Sequence, residues 1–180
     1  MLIRRRYILS VSAENGIIIS MWKGELLELE ATLKIYESEE FAGHTWYHHS
    51  MRSLDAYWIA EIDGRYWKKL AIGDDSTLFI DGTLAIGDSA VSPERDYVSG
   101  EAYRKVQIYD KDTTISTPAG EFRTRRYKGR YYNTKNGNYE KYEELYISDN
   151  IGIIRRDSYT IDTNHKKSLK KKRTLIKFSQ

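Results

Sequence analysis

The run Tyr57-Trp58-Ile59-Ala60-Glu61-Ile62-Asp63-Gly64-Arg65-Tyr66-Trp67-Lys68-Lys69-Leu70-Ala71-Ile72 decides the fold. Two segments rich in aromatic and β-branched residues flank an Asp-Gly pair. Asp-Gly suits a two-residue type I′ turn, which needs positive φ at both central positions. Such a turn fixes the pairing by arithmetic: Ile62 faces Arg65, and Ala60 faces Trp67. Trp58 then lies diagonal to Trp67 on the same face of the hairpin.

A second hairpin signal is Asn136-Gly137. Read as another two-residue turn, it sets Tyr131 opposite Tyr142 and Tyr127 opposite Tyr146. Four tyrosines would then line one face, with Arg130 opposite Glu143 and Lys128 opposite Leu145 on the other. A one-residue slip would scatter that ladder.

Period-2 alternation dominates elsewhere from about residue 31. Strands are expected at Ala31–Tyr36, at Glu101–Tyr109 and at Ile151–Ile161. Asp81-Gly82 suggests a further hairpin between Thr77–Ile80 and Thr83–Ile86, after which Gly87-Asp88 and Ser92 to Asp96 break the pattern. Thr117-Pro118-Ala119-Gly120 reads as a turn, because proline presets φ and glycine permits the positive φ that follows. Leu175 to Phe178 could close the sheet. Helix signals are weak; Leu26–Leu33 has the Glu and Leu content but no clear N-cap, and Thr32 favours a strand.

Composition agrees. The 180 residues fit one domain, and 40% hydrophobic residues suffice for a core. There are 15 Tyr against 4 Phe and 4 Trp, which suits half-buried sheet positions where the ring packs and the hydroxyl reaches water or a partner. Only 2 Pro and 12 Gly fit long strands with short turns. The expectation is one mainly β domain over residues 1–180, with an irregular N-terminal segment to about residue 25. Its strands would form a single curved antiparallel sheet with little helix.

Several chemistries are excluded or disfavoured. No Cys is present, which removes disulfides, thiolate metal sites and cysteine nucleophiles. The 29 Lys+Arg are nearly matched by 26 Asp+Glu, for a net charge of +3, so no nucleic-acid partner is expected. His44 and His48 would share a helix face, but Thr45-Trp46-Tyr47 reads as strand, where such residues lie ~13 Å apart. No metal and no cofactor are therefore expected. Asp74, Asp75, Asp81 and Asp88 lack calcium-loop spacing and read as turn residues. No Gly-x-Ser-x-Gly elbow, Walker-type loop or dinucleotide fingerprint appears. Arg4-Arg5-Arg6 and the apolar Tyr7–Val11 resemble a truncated export signal, but Glu14 interrupts a run that should reach ~7–15 residues. No segment approaches the ~20 apolar residues of a membrane helix.

The rings Trp58, Trp67, Tyr127, Tyr131, Tyr142 and Tyr146 are the candidate ligand-binding residues. The same rings fit ordinary core, the commoner fate of such side chains. Lys166 to Arg173 could contact phosphates or anionic headgroups, but a lysine-rich run more often guards a solvated sheet edge.

Three stretches carry a resemblance: Leu78-Phe79-Ile80-Asp81-Gly82-Thr83-Leu84-Ala85-Ile86-Gly87-Asp88, then Thr114 through Thr117-Pro118-Ala119-Gly120-Glu121-Phe122, then Glu144-Leu145-Tyr146 through Ile151-Gly152-Ile153-Ile154-Arg155. Over roughly residues 55–178 the chain resembles a group of exported bacterial proteins and lipoproteins. Their pattern is a Gly-Asp after a strand, a Thr-Pro-Ala-Gly-x-Phe turn and a Tyr-x-x-x-x-x-Gly-hydrophobic strand end. The group is similar in outline to LolA-like lipoprotein carriers, whose half-barrel has an apolar concave face. This chain departs from it in lacking a lipid-attachment Cys and in carrying Ser89 where an aromatic follows Gly-Asp.

The resemblance implies a cell-envelope or periplasmic location and no catalytic residue. The expectation is a non-enzymatic envelope protein that holds a lipid, an acyl chain or an apolar protein segment on an aromatic concave sheet. A competing reading is a structural or interaction module that docks an envelope protein partner through an edge strand or the Lys166–Arg173 run. A third is a hydrolase with an unrecognised carboxylate pair.

Overall fold

The structure, a computed structural model, describes residues 17–22, 25–30, 34–50, 57–95, 101–149 and 151–175. Every regular element among them is a strand. In chain order these are β1 (Ile17–Trp22), β2 (Glu25–Glu30), β3 (Lys34–Phe41), β4 (His44–Ser50), β5 (Tyr57–Ile62), β6 (Arg65–Lys69) and β7 (Thr77–Asp81). There follow β8 (Ser89–Arg95), β9 (Ala102–Thr117), β10 (Gly120–Asn133), β11 (Tyr139–Ser148), β12 (Gly152–Ile161) and β13 (Lys167–Thr174).

The antiparallel β expectation holds, but the strands divide among sheets and do not join into one. Strands β3-β4-β5-β6-β7 form a five-stranded meander, and β13-β12-β11-β10-β9-β8 form a six-stranded one. β1 and β2 make a separate hairpin where an irregular segment was expected, with β1 beside β13. The signal-like Arg4–Val11 and the end of Leu175–Phe178 lie outside the described residues, as does the start of Ala31–Tyr36.

The Asp63-Gly64 hairpin has the arithmetic register: Ile62 pairs with Arg65, and Ala60 with Trp67. Asp63 and Gly64 have φ of 52° and 75°, as a type I′ turn demands. The Asn136-Gly137 hairpin does not. Only Gly137 has positive φ there. The connection is longer, closed by the Gly137 N–H to the Asn133 carbonyl at 2.8 Å and by the Asn133 N–H to the Asn138 carbonyl at 2.9 Å. A bulge at Tyr131/Tyr132 completes a one-residue slip. Tyr131 pairs with Lys141, Arg130 with Tyr142, and Tyr127 with Leu145. The four-tyrosine ladder is thereby split across both faces of the sheet.

Two more expectations fail locally. No strand follows Asp81-Gly82; the Asp81 carboxylate accepts the Thr83 N–H at 2.9 Å, and Asp88 accepts the Ala85 N–H at 3.2 Å. The segment becomes a side-chain-capped link between the sheets. Gly82 is needed there because an added Cβ would sit 2.6 Å from the Gly64 carbonyl oxygen. Ser89–Arg95 is a strand, not a break, since Pro93 lies on the sheet edge where a missing N–H costs no ladder bond.

The two sheets pack through one apolar cluster. Ile59, Phe79 and Ile80 of the five-stranded sheet meet Tyr109, Tyr127 and Leu145 of the six-stranded one. The other side of the five-stranded sheet carries Trp46, Trp58 and Ala60, flanked by Ile62, Trp67 and Ile72. Lys69 lies buried in that layer, its ammonium 3.9 Å from the Phe41 ring centre and 3.8 Å from that of Trp46.

Candidate functional site

Alternation along β9 separates two environments. Tyr103, Lys105, Gln107 and Tyr109 point inward and are buried, while Arg104 is exposed and Val106 and Ile108 are half-buried. The register carries this division across the sheet.

The inward side is closed by polar chemistry. Gln107 acts as a substitute strand for the β7 edge: its carbonyl accepts the Asp81 N–H at 2.7 Å, and its amide donates to the Phe79 carbonyl at 3.3 Å. Ser92 Oγ accepts the Leu78 N–H at 3.1 Å. Edge groups that would otherwise need a strand or water are thus satisfied by side chains.

Beside this edge lies a buried ion cluster. Glu143 Oε1 is 3.0 Å from Lys105 Nζ, and Glu143 Oε2 is 2.7 Å from an Arg156 terminal nitrogen. Tyr131 donates its hydroxyl proton to Oε1 at 2.5 Å, and Lys105 also donates to the Phe79 carbonyl at 3.2 Å. Lys105 and Glu143 are each 2% exposed. Burial alone would raise the Glu143 carboxyl, but the charges of Arg156 and Lys105 and the Tyr131 hydroxyl hold it well below the usual carboxylate range. Burial, then the Glu143 charge, pushes the Tyr131 phenol well up. Gly129, cross-strand from Glu143, makes the socket: an added Cβ would sit 2.7 Å from Glu143 Cγ. Lys68 pairs with Glu94 nearby.

The opposite side of the six-stranded sheet is the more open one: Arg104, Arg130 and Lys167 are exposed there, although Tyr142 and Asp157 are buried. A row of rings crosses it: Tyr132 to Tyr139 at 5.5 Å, Tyr139 to Tyr142 at 6.5 Å, and Tyr142 to Tyr159 at 5.6 Å. Tyr146 lies between two guanidinium groups, 5.8 Å from that of Arg126 and 5.4 Å from that of Arg155. Lys167 Nζ stands 3.5 Å above Tyr142. Glu144 is the hub, accepting from Tyr142 at 3.0 Å, Tyr146 at 3.1 Å and Arg126 at 2.8 Å. Burial opposes its ionisation, but the Arg126 and Tyr142 hydrogen bonds prevail and lower its pKa. Arg126 and Lys128 both reach Asp110, at 3.2 and 2.7 Å, and Arg155 reaches Asp157 at 2.5 Å.

The six sequence candidates therefore fall in three places. Trp58 and Trp67 belong to the tryptophan layer on the far side of the five-stranded sheet, where His48 stacks on Trp58 at 4.9 Å. Tyr127 is core, and Tyr131 serves the buried ion cluster. Only Tyr142 and Tyr146 share the open face, Tyr142 buried in it and Tyr146 half-buried. Sequence reading missed Lys105, Gln107 and Glu143, because alternation is scored on apolar residues and these are polar residues on the buried side. A shallow cleft of about 300 Å³ lies at another corner, lined by Asp112, Arg123, Thr124, Arg125, Ile147, Ser148 and Asp149.

Among the described residues no helix is long and apolar enough to cross a membrane. The architecture is an open antiparallel fold of the kind called YmcC-like. The chain is similar to a solved structure from Bacteroides fragilis described as a "putative exported protein with YmcC-like fold", with a TM-score of 0.52 at 15% identity, over 92% of this chain and 95% of that one. A structure from Parabacteroides distasonis, described as a "putative lipoprotein", has a TM-score of 0.49 at 15% identity, over 92% of this chain and 94% of that one. At such identity the first likeness establishes fold alone. No protein-family model matches the chain, and no curated protein matches it.

Proposed function

We propose that this chain is a non-enzymatic protein of the bacterial cell envelope that docks a partner on the open face of its six-stranded sheet. The carrying observation is the contrast between the two sides of β9–β12. The inward side is filled by an apolar cluster and by Lys105, Glu143 and Arg156 in mutual contact. An acyl chain held there would have to displace a buried, paired lysine and glutamate, at several kcal/mol. The open side instead presents the half-buried Tyr146 and Tyr159 beside arginines, residue types that concentrate binding energy at interfaces. The exported description of the protein that shares the fold supports an envelope location, as does the resemblance of the turn motifs to those of exported proteins.

Photocrosslinking in cells tests this reading. A photoreactive phenylalanine analogue at Tyr146 or Tyr159 is expected to give a discrete envelope adduct, and the same analogue at Trp67 is not. Adducts from Trp67 alone, or from none of the three, would refute it.

A further inference from the structure

We infer that the partner of this face is an anionic phospholipid surface; the inference rests on the docking face proposed above and names its partner. Residues 101–180 carry 19 Lys+Arg and 10 Asp+Glu, a net of +9, whereas residues 1–100 carry 10 and 16, a net of −6; the two halves add to the chain's +3. The six-stranded sheet is built almost wholly from the basic half, so the molecule has an electrostatic polarity that its small net charge conceals.

Much of that excess reaches the open face. Its ion-paired carboxylates, Asp110, Glu144 and Asp157, are taken by Arg126, Lys128 and Arg155. Arg104, Arg130, Lys167 and Lys172 stand outside those pairs. The register puts them on the same side: Arg104 pairs with Tyr132, Arg130 with Tyr142, and Lys172 with Asp157, while Lys167 covers the Tyr142 ring. Four cations outside the ion pairs, spread over β9, β10 and β13, complement a layer of negative charge better than a single carboxylate.

The apolar elements fit the same surface. Tyr146 and Tyr159 are half-buried rings, suited to the depth of lipid headgroups, where an amphipathic ring has one end in an apolar layer and one end wet. Val91, on the same side at the β8 edge, is 47% exposed. Lysine and arginine stems can lie along apolar surface while their charges reach phosphate. A fluid layer of repeated anions needs no matching groove, only several cations on one side, and this face provides them.

The test is flotation of the purified chain with vesicles of phosphatidylcholine alone or with about 30% phosphatidylglycerol, at ~0.1 M and ~1 M salt, where the screening length falls from ~10 Å to ~3 Å. The expected result is binding to the anionic vesicles at low salt only. Arg130→Gln and Lys172→Gln should each weaken partitioning about fivefold, and together about 25-fold. Arg123→Gln, about 23 Å along β10 from Arg130, should leave it unchanged. Thermal melts that overlay the parent keep misfolding from imitating the loss. Equal binding to neutral vesicles, no binding to anionic ones, or equal loss with Arg123→Gln would overturn the inference. If vesicles fail while Tyr146 and Tyr159 still crosslink to an envelope protein, the partner is wrong and the docking face stands; failure of both removes both.

Discussion

Replacing Glu143 by glutamine removes one charge and almost no volume, so its consequence can be worked from the contacts. The amide can still accept from Tyr131, but Lys105 and Arg156 lose their shared counter-ion. Breaking a buried pair from one side typically costs about 3–5 kcal/mol. The Arg156 side chain is 28% exposed and can turn toward water, whereas Lys105 is 2% exposed and cannot. Lys105 then keeps only uncharged partners, the amide oxygen it shares with Tyr131, the Phe79 carbonyl at 3.2 Å and the Phe79 and Tyr131 rings. The cost should therefore fall near the lower bound, about 3 kcal/mol, a large part of the 5–15 kcal/mol that holds a typical domain together. For a chain of this size that lowers Tm by roughly 6–12 °C. Urea unfolding followed by tryptophan fluorescence measures it, with Lys105→Met and the double variant closing a cycle. The double variant should recover at least about 1 kcal/mol relative to the sum of the singles. A Glu143→Gln loss below about 0.5 kcal/mol, or strict additivity, would refute a carboxylate clamped between a buried lysine and a half-buried arginine.

Other outcomes follow from the same geometry. The Glu143 pKa is depressed in the folded state from an ordinary value of 4.5, so its contribution is complete above that pH and is lost as pH falls below it. The parent should lose stability between about pH 5 and pH 3 more steeply than Glu143→Gln does, read as urea midpoints across that range. Gly129→Ala should cost about 3 kcal/mol or more because its Cβ would meet Glu143 Cγ at 2.7 Å; Gly137→Ala, with open space but φ of 70°, should cost only about 1 kcal/mol in the same assay. Gln107→Leu should cost about 1–3 kcal/mol by orphaning the Asp81 N–H, while the Phe79 carbonyl keeps its Lys105 donor, and hydrogen exchange at Asp81 should accelerate. Ala42 has φ of 52° in the turn between β3 and β4, so Ala42→Gly should raise the thermal midpoint slightly.

The sequence made parts of this molecule legible for a physical reason. Asp63-Gly64 demands one turn type, and that turn fixes every pair from Ile62/Arg65 outward. Thr117-Pro118-Ala119-Gly120 was equally explicit, and it joins β9 to β10 with Gly120 at φ of 127°. Asn136-Gly137 was not, because the side-chain carbonyl of Asn133 accepts the Lys135 N–H at 2.8 Å and recruits three more residues into the turn. That competition between a side chain and a backbone ladder slipped the register by one and sent Tyr142 and Tyr146 to the face opposite Tyr131. The ion cluster was illegible for a different cause. Lys105, Gln107 and Glu143 alternate correctly but with polar side chains, and only a neighbouring strand edge and a socket at Gly129 explain why they are inside.

The most direct measurement is hydroxyl-radical footprinting of the chain free and bound to isolated envelope fractions. The account predicts that Tyr139, Tyr146, Tyr159 and Val91 become protected together, while Phe41 and Leu70 on the five-stranded sheet keep their reactivity. Protection centred on Phe41, Trp58 and Trp67, with the tyrosines of β11 and β12 unchanged, would contradict it.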